Sequence, residues 1–163
     1  DPAMIARPLA RCRSMLCASP DYLQRHGLPR TADDLRQHCC IAHAFGIGKQ
    51  YRLSRNGATL TVPVNWSFHT NETAVLRRAV LSGAGIGMLP TYYLDDGLGA
   101  GRLVHLLPDY EPEVLGIHAI YLSRQHQPLA LRLLVDFLAA RFGGELAPWD
   151  LALNEKLVSA VAG

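Results

Sequence analysis

The side chains best suited to metal binding or acid–base chemistry are seven histidines. A metalloprotease helix would place two of them four residues apart, and no pair here has that spacing. His43 and His69 each lie near the end of a strand-like run, so these two are the best placed to face a cleft. The pattern predicts no metal site and no catalytic residue. The seven are His26, His38, His43, His69, His105, His118 and His126.

A glycine cluster, Gly83, Gly85 and Gly87, is the second feature that could do chemistry. It follows a helical pattern and precedes a strand, which is the reverse of the order that dinucleotide binding requires. The sequence also has no P-loop and no Gly-x-Ser-x-Gly nucleophile elbow. We therefore expect no cofactor and no enzymatic activity.

Four cysteines form the third group, and their spacing matches neither a zinc site nor a Cys-x-x-Cys redox motif. Cys39 and Cys40 are adjacent, which is too close for an ordinary disulfide. We expect reduced, buried thiols that pack as small hydrophobic groups, at Cys12, Cys17, Cys39 and Cys40. A redox-sensing pair is the alternative, but no neighbouring residue predicts the lowered thiol pKa that such a pair needs.

Composition bounds the class of protein. The 163 residues are 49% apolar and 18% charged, which is typical of a soluble globular protein. The formal net charge is +2, from 16 basic and 14 acidic side chains, and the arginines are mostly single, so no nucleic-acid surface is predicted. No apolar run approaches the roughly 18 residues of a membrane span. The first residues lack a signal-peptide pattern, so a cytoplasmic location is expected.

The element that could best position a ligand is the stretch from Asn71 to Pro90. Asn71 is predicted to cap a helix by accepting from the free N–H groups of its first turn. A glycine turn follows this helix, and then a short apolar strand ends at Pro90. A helix N-terminus attracts negative charge, so this stretch is a candidate anion site.

The elements around it alternate between strands and helices, which predicts an α/β fold with a parallel or mixed sheet. Ser19 and Pro20 are typical of a helix start, and Asn56-Gly57 between two strand-like runs predicts a hairpin. Pro128 begins an amphipathic helix that Gly143-Gly144 ends.

Taken together, several segments resemble the effector-binding domain of LysR-type transcriptional regulators. No single motif is specific, but their order and spacing match over roughly residues 5 to 150. The segments are Ile5 to Leu9, Leu16 to Leu23, Asp33 to Leu35, His38-Cys39, Asn71 to Leu76, Gly83 to Pro90, Gly101 to Pro108, Ile117 to Tyr121 and Val135 to Ala139.

The resemblance implies a two-lobed α/β domain, similar to type 2 periplasmic binding proteins, with two crossover strands as its hinge. These crossovers are expected near Met15 to Ser19 and near Gly116 to Tyr121. Residues 1–17 and 118–145 would form a partial first lobe, 18–117 a complete second lobe and 146–163 a C-terminal tail. The winged helix-turn-helix and the first elements of the effector domain do not precede Asp1, so the first lobe is expected to be truncated at its N-terminus.

The resemblance also implies a small-molecule effector in the cleft between the lobes. A carboxylate or another anion could bind the first turn of the Asn71 helix, with Thr70 or His69 as hydrogen-bond partners. The alternative is that Asn71 is only a cap. The implied effector-binding residues are Ser19, Pro20, His43, Phe45, His69, Thr70, Asn71 and Glu72.

The implied partners are the effector, a second copy of the chain in a homodimer or homotetramer, and DNA only through the absent N-terminal domain. The effector would act by favouring one arrangement of the lobes. A solute-binding protein of a transporter, which shares the fold, is the alternative. An enzyme on the same scaffold is a further alternative, but no catalytic set can be assembled for it.

Overall fold

A five-stranded sheet, a hairpin sheet and a two-stranded ribbon organise the part of the chain that the computed structural model describes, residues 4–43, 50–94, 96–122 and 128–161. The strands are β1 Met4–Cys12, β2 Ser14–Ala18, β3 Cys39–His43, β4 Gln50–Arg55, β5 Ala58–Pro63, β6 Asn65–Thr70, β7 Ile86–Pro90, β8 Val104–His105, β9 Glu111–Pro112 and β10 Leu115–Leu122. The α-helices are α1 Pro20–His26, α2 Thr73–Leu81, α3 Leu129–Phe142 and α4 Pro148–Val161.

The five-stranded sheet has the order β6-β3-β7-β2-β8. β3 runs parallel to both β6 and β7, whereas β2 runs antiparallel to both β7 and β8. Its central strands are buried: Leu16, Ile41 and Ile86 are at most 1% exposed. The prediction of an α/β fold with a mixed sheet is confirmed.

Two predicted local structures form as expected. Ser19 caps α1, because its Oγ accepts from the Tyr22 amide at 3.2 Å, and Pro20 occupies the first turn. β4 and β5 form the hairpin, with Asn56 at φ +51° and Gly57 at φ +78°. Positive φ at both turn residues gives the turn whose twist matches the paired strands. Leu53 and Val62 then pack this hairpin onto the core beside the five-stranded sheet.

The ribbon consists of β1, β10 and α3. The two strands pair antiparallel, from Met4 opposite Leu122 to Cys12 opposite Leu115. α3 packs on β1, and an ion pair joins Arg7 to Asp136 across this contact. We call β2 to β9 with α1 and α2 the sheet lobe.

The chain passes between the ribbon and the sheet lobe at Arg13 and again at residues 113–114, because β1 ends at Cys12 and β10 begins at Leu115. Both passages lie a few residues before the crossovers that the resemblance implies. Apolar runs predict that a strand exists, but they do not show which sheet it joins.

Three other elements refine what the sequence predicts. A second short helix is predicted over Ala32 to Gln37, and the structure has the 3-10 helix Asp33–Gln37, whose start is held by Asp34 accepting from the amides of Arg30 and Thr31. A strand is predicted over Arg102 to Leu107, but only β8 forms, and Leu107 takes φ +51°, which lies outside the extended region. The C-terminal tail has a weak pattern that fits either a short helix or a loose segment, and it contains the 14-residue helix α4.

Candidate functional site: the hinge edge of the sheet

The carboxyl ends of three parallel strands meet at one edge of the five-stranded sheet. His43 ends β3 and lies opposite Thr70, the last residue of β6, while Pro90 ends β7. Ser14 lies opposite Pro90, directly after the passage at Arg13. We call this border the hinge edge. In open α/β sheets, ligands bind beyond the carboxyl ends of the strands, so this edge is the best-placed candidate site.

α2 begins at the hinge edge, one residue later than the sequence predicted. Its N-cap is Glu72, so the prediction that Asn71 caps the helix is wrong. Thr70 holds the bend before the helix: its Oγ1 accepts from the Glu72 amide at 3.1 Å, and Asn71 is exposed in this bend. The side chain of Glu72 makes no capping hydrogen bond to the first turn of α2. The N-terminus of this helix, with the amides of residues 73–75, is therefore a candidate site for an anion.

The two histidines of the proposed site lie differently. Ala42 pairs with His69, and His43 pairs with Thr70. Successive side chains of a strand point to opposite faces, so His43 and Thr70 share one face while His69 lies on the other. His43 is half-buried and His69 is exposed. Thus His43 and Thr70 can contact one ligand together, whereas His69 and Thr70 do not converge. Phe45 lies outside the described residues.

Ser19 and Pro20 lie at the opposite edge of the sheet. β2 runs antiparallel to β7, so Ala18 approaches the start of β7 when Ser14 is opposite its end. Ser19 is 3% exposed and its Oγ is already engaged by the cap of α1. Ser19 also adjoins Gly83. Gly83 lies beyond the far end of the nine-residue helix α2, and a helix of that length spans about 13 Å. Ser19 and Pro20 therefore do not join Asn71 in one site.

A buried polar network that the sequence did not reveal lies near Ser19. The Tyr22 hydroxyl accepts from the Cys39 amide at 3.0 Å and lies 3.0 Å from Nδ1 of His38. When His38 is neutral, the Tyr22 hydroxyl can donate to its Nδ1, so the hydroxyl acts both as a donor and as an acceptor. Burial raises the pKa of Tyr22 to about 12 and, together with the nearby His26, lowers the pKa of His38. The network joins α1 to β3 and is structural.

All four thiols are free, and Cys12, Cys17 and Cys40 are buried. Burial raises the pKa of Cys17 and of Cys40 to about 12, and it also raises the pKa of Cys12. Because the thiolate is the reactive form, these three side chains are poor nucleophiles. They pack as small apolar groups, as predicted.

Two other kinds of site are not found in the described part of the chain. Among the side chains described, those within residues 4–43, 50–94, 96–122 and 128–154, no three His, Cys, Asp or Glu are grouped so that they could hold a metal ion. No helix in the described residues has the length and apolar character required to cross a membrane.

The chain matches the model of the LysR substrate binding domain over residues 1–143. It belongs to this family. A probable HTH-type transcriptional regulator, LtrA of Klebsiella pneumoniae, is 33% identical over 142 residues, which are 85% of this chain and 46% of LtrA. The chain thus spans about half the length of the curated relatives that it matches.

Solved structures of LysR-type regulators share the fold. The full-length virulence activator AphB of Vibrio cholerae superposes with a TM-score of 0.73 at 30% identity, over 86% of this chain and 48% of AphB. The regulatory domain of CrgA from Neisseria meningitidis gives 0.71 at 29% identity, over 88% of this chain and 71% of that domain. The expected two-lobed, periplasmic-binding-protein-like fold is therefore confirmed. Since these relatives are regulators, a transporter component is not favoured.

Proposed function

We propose that this chain is the effector-sensing part of a LysR-type transcriptional regulator, and that its effector is a small anion bound at the hinge edge. The observation that carries the proposal is the start of α2, where the side chain of Glu72 makes no capping hydrogen bond to the amides of residues 73–75. A carboxylate would accept from these amides and gain from the positive end of the helix dipole. Thr70 and His43 are the polar side chains beside it on the shared face of the sheet.

The effector acts by population shift. The hinge edge adjoins the passage at Arg13, so a ligand there contacts the region about which the ribbon and the sheet lobe rotate. It changes the balance between two arrangements only if it binds them with different affinity. In the whole regulator, which we place in the cytoplasm, this shift controls DNA binding by a separate domain. The regulator works as a homodimer or homotetramer.

The ribbon is one part of a first lobe that further polypeptide of the regulator completes. Its surface is unusually apolar: Ile120 is 63% exposed, Phe137 63% and Leu133 57%. When a small part of a protein exposes several large apolar side chains, another element often covers them. The CrgA regulatory domain extends well beyond the stretch that this chain matches, which supports the same division into a partial first and a complete second lobe.

The experiment that tests the site is the Asn71→Asp variant of the intact regulator, examined by thermal shift with small aliphatic and aromatic carboxylates and with their neutral amides. The new carboxylate next to the first turn of α2 interacts well with the helix dipole, so stability without ligand rises by about 0.3–1 kcal/mol. The same charge repels an anionic effector by about 1–4 kcal/mol at roughly 4 Å, so affinity falls about fivefold or more.

The matched control is Asn65→Asp, which makes the same charge change on an exposed residue at the other end of β6. It should bind the carboxylates as the unmodified regulator does. If Asn71→Asp also binds them with unchanged affinity, the effector does not lie at the start of α2. If the neutral amides stabilise the regulator as well as the acids do, the effector is not recognised as an anion.

A further inference from the structure

α4 lies beyond the residues that match the family model, and it joins the ribbon to the sheet lobe a third time. α3 belongs to the ribbon because it packs on β1. α4 follows after a short connection and packs on the 3-10 helix Thr91–Tyr93 of the sheet lobe. Leu153 of α4 is 7% exposed and shares an apolar cluster with Leu89 and Leu94.

Trp149, in the first turn of α4, bridges the two parts through its ring. The ring centroid lies 6.0 Å from that of Phe142, the last residue of α3. It also lies 5.7 Å from the ring of Tyr92, in an edge-on arrangement. Both separations fall within the range in which aromatic rings attract each other. A rotation of the ribbon against the sheet lobe must therefore disturb at least one of these contacts.

On the Tyr92 side, these contacts extend to Arg13, where the chain first passes between the ribbon and the sheet lobe. The neighbouring Thr91 donates twice to the Arg13 carbonyl, from its amide at 2.9 Å and from its hydroxyl at 3.3 Å. The Tyr92 side chain lies beside Cys12, the last residue of β1. Asp150, next to Trp149, is 1% exposed and also lies near Cys12. The start of α4 is thus packed against the hinge itself.

We propose that α4 is a strap that restrains rotation of the ribbon relative to the sheet lobe, and that Trp149 is the residue that fastens it. Two strand crossovers alone leave a hinge free to bend, whereas a third connection with packed rings on both sides opposes the same motion. The proposal rests on the proposed function only in that the effector would drive this rotation. The restraint itself exists without any effector.

Amide hydrogen exchange of the Trp149→Ala variant, followed by mass spectrometry without ligand, tests this strap. Exchange in peptides that cover residues 10–16 and 88–94 should accelerate about tenfold, because two aromatic contacts are lost. Exchange of Cys40 and Ile41 in β3 should not change, since they lie in the centre of the sheet lobe. The matched control is Leu151→Ala on the same helix, where the side chain is 51% exposed, and it should exchange as the unmodified chain does.

The proposal is overturned if exchange in the two hinge peptides stays unchanged in Trp149→Ala, whether or not the amides of α4 exchange faster. If Trp149→Ala instead accelerates exchange throughout β3, the variant has lost its global fold. The same measurement on Trp149→Phe then tests the proposal. This variant keeps a ring between Phe142 and Tyr92. If α4 acts as a strap, Trp149→Phe should keep slow amide exchange in the two hinge peptides. Fast exchange in these peptides while β3 stays protected would refute the proposal. No effector enters the experiment, so failure of the proposed function would not change its outcome.

Discussion

The buried hydroxyl of Tyr22 offers the sharpest test of how the sheet lobe is held together. Tyr22→Phe removes one oxygen and leaves the ring, which is 1% exposed, in place. The Cys39 amide and Nδ1 of His38, each 3.0 Å from that oxygen, lose their partner. An unsatisfied buried polar group costs about 1–3 kcal/mol. Because Cys39 is only half-buried, we expect a loss of about 2 kcal/mol in the free energy of unfolding.

Urea unfolding followed by far-ultraviolet circular dichroism and tryptophan fluorescence measures this loss. Trp66 packs against the same apolar cluster as Tyr22, so its emission reports on the right region. In thermal unfolding, about 2 kcal/mol corresponds to a decrease in Tm of roughly 4–8 °C. Tyr110→Phe is the matched control, because the hydroxyl of Tyr110 accepts from Arg55 in an exposed pair at 3.2 Å. It should change stability by less than about 0.5 kcal/mol. Equal effects of the two substitutions would refute the role given to the network.

Two further predictions concern the same lobe. The folded pKa of His38 lies below its unfolded value near 6.5, so stability is complete above about pH 6.5 and decreases as the pH falls through that value. Urea titrations at pH 7.5 and 5.5 should show that the free energy of unfolding decreases less in His38→Asn than in the unmodified chain. Part of the decrease should remain, because burial also lowers the pKa of His105. An equal decrease in the two proteins would contradict this prediction. Gly85→Ala places a Cβ 2.5 Å from the Cys39 carbonyl oxygen, so it should destabilise the chain by about 1–3 kcal/mol. Gly99→Ala is the control, because a Cβ added there has no atom within 4 Å. Equal midpoints of chemical denaturation for the two alanine variants would rule the clash out.

Local structure could be predicted where a few neighbouring residues decide it. The Ser19 cap of α1 forms because a hydroxyl, a proline and a free amide lie within four residues of one another. The Asn56-Gly57 turn forms because both residues accept positive φ. The failure at Asn71 is equally local: the Thr70 hydroxyl, one residue earlier, accepts from the Glu72 amide and holds a bend, and α2 starts one residue later than expected.

Which residues share the proposed site could be decided only from the order and direction of the strands in the sheet. Ser19 and Thr70 each end a strand-like run, and nothing in the sequence shows that the two runs point in opposite directions. The antiparallel register of β2 with β7 separates them, whereas the parallel register of β3 with β6 brings His43 beside Thr70. Side-chain alternation then removes His69 from the shared face.

The sequence by itself determined the family, the α/β class and most helix and strand positions of this protein, because apolar periodicity and turn residues act over short distances. Tertiary structure decided which sheet each strand joins and where the chain crosses between the ribbon and the sheet lobe. It also decided that the weakly patterned tail becomes α4. Trp149 and Leu153 carry no periodic signal, and only the rings and apolar side chains that surround them in the folded chain give that helix its place.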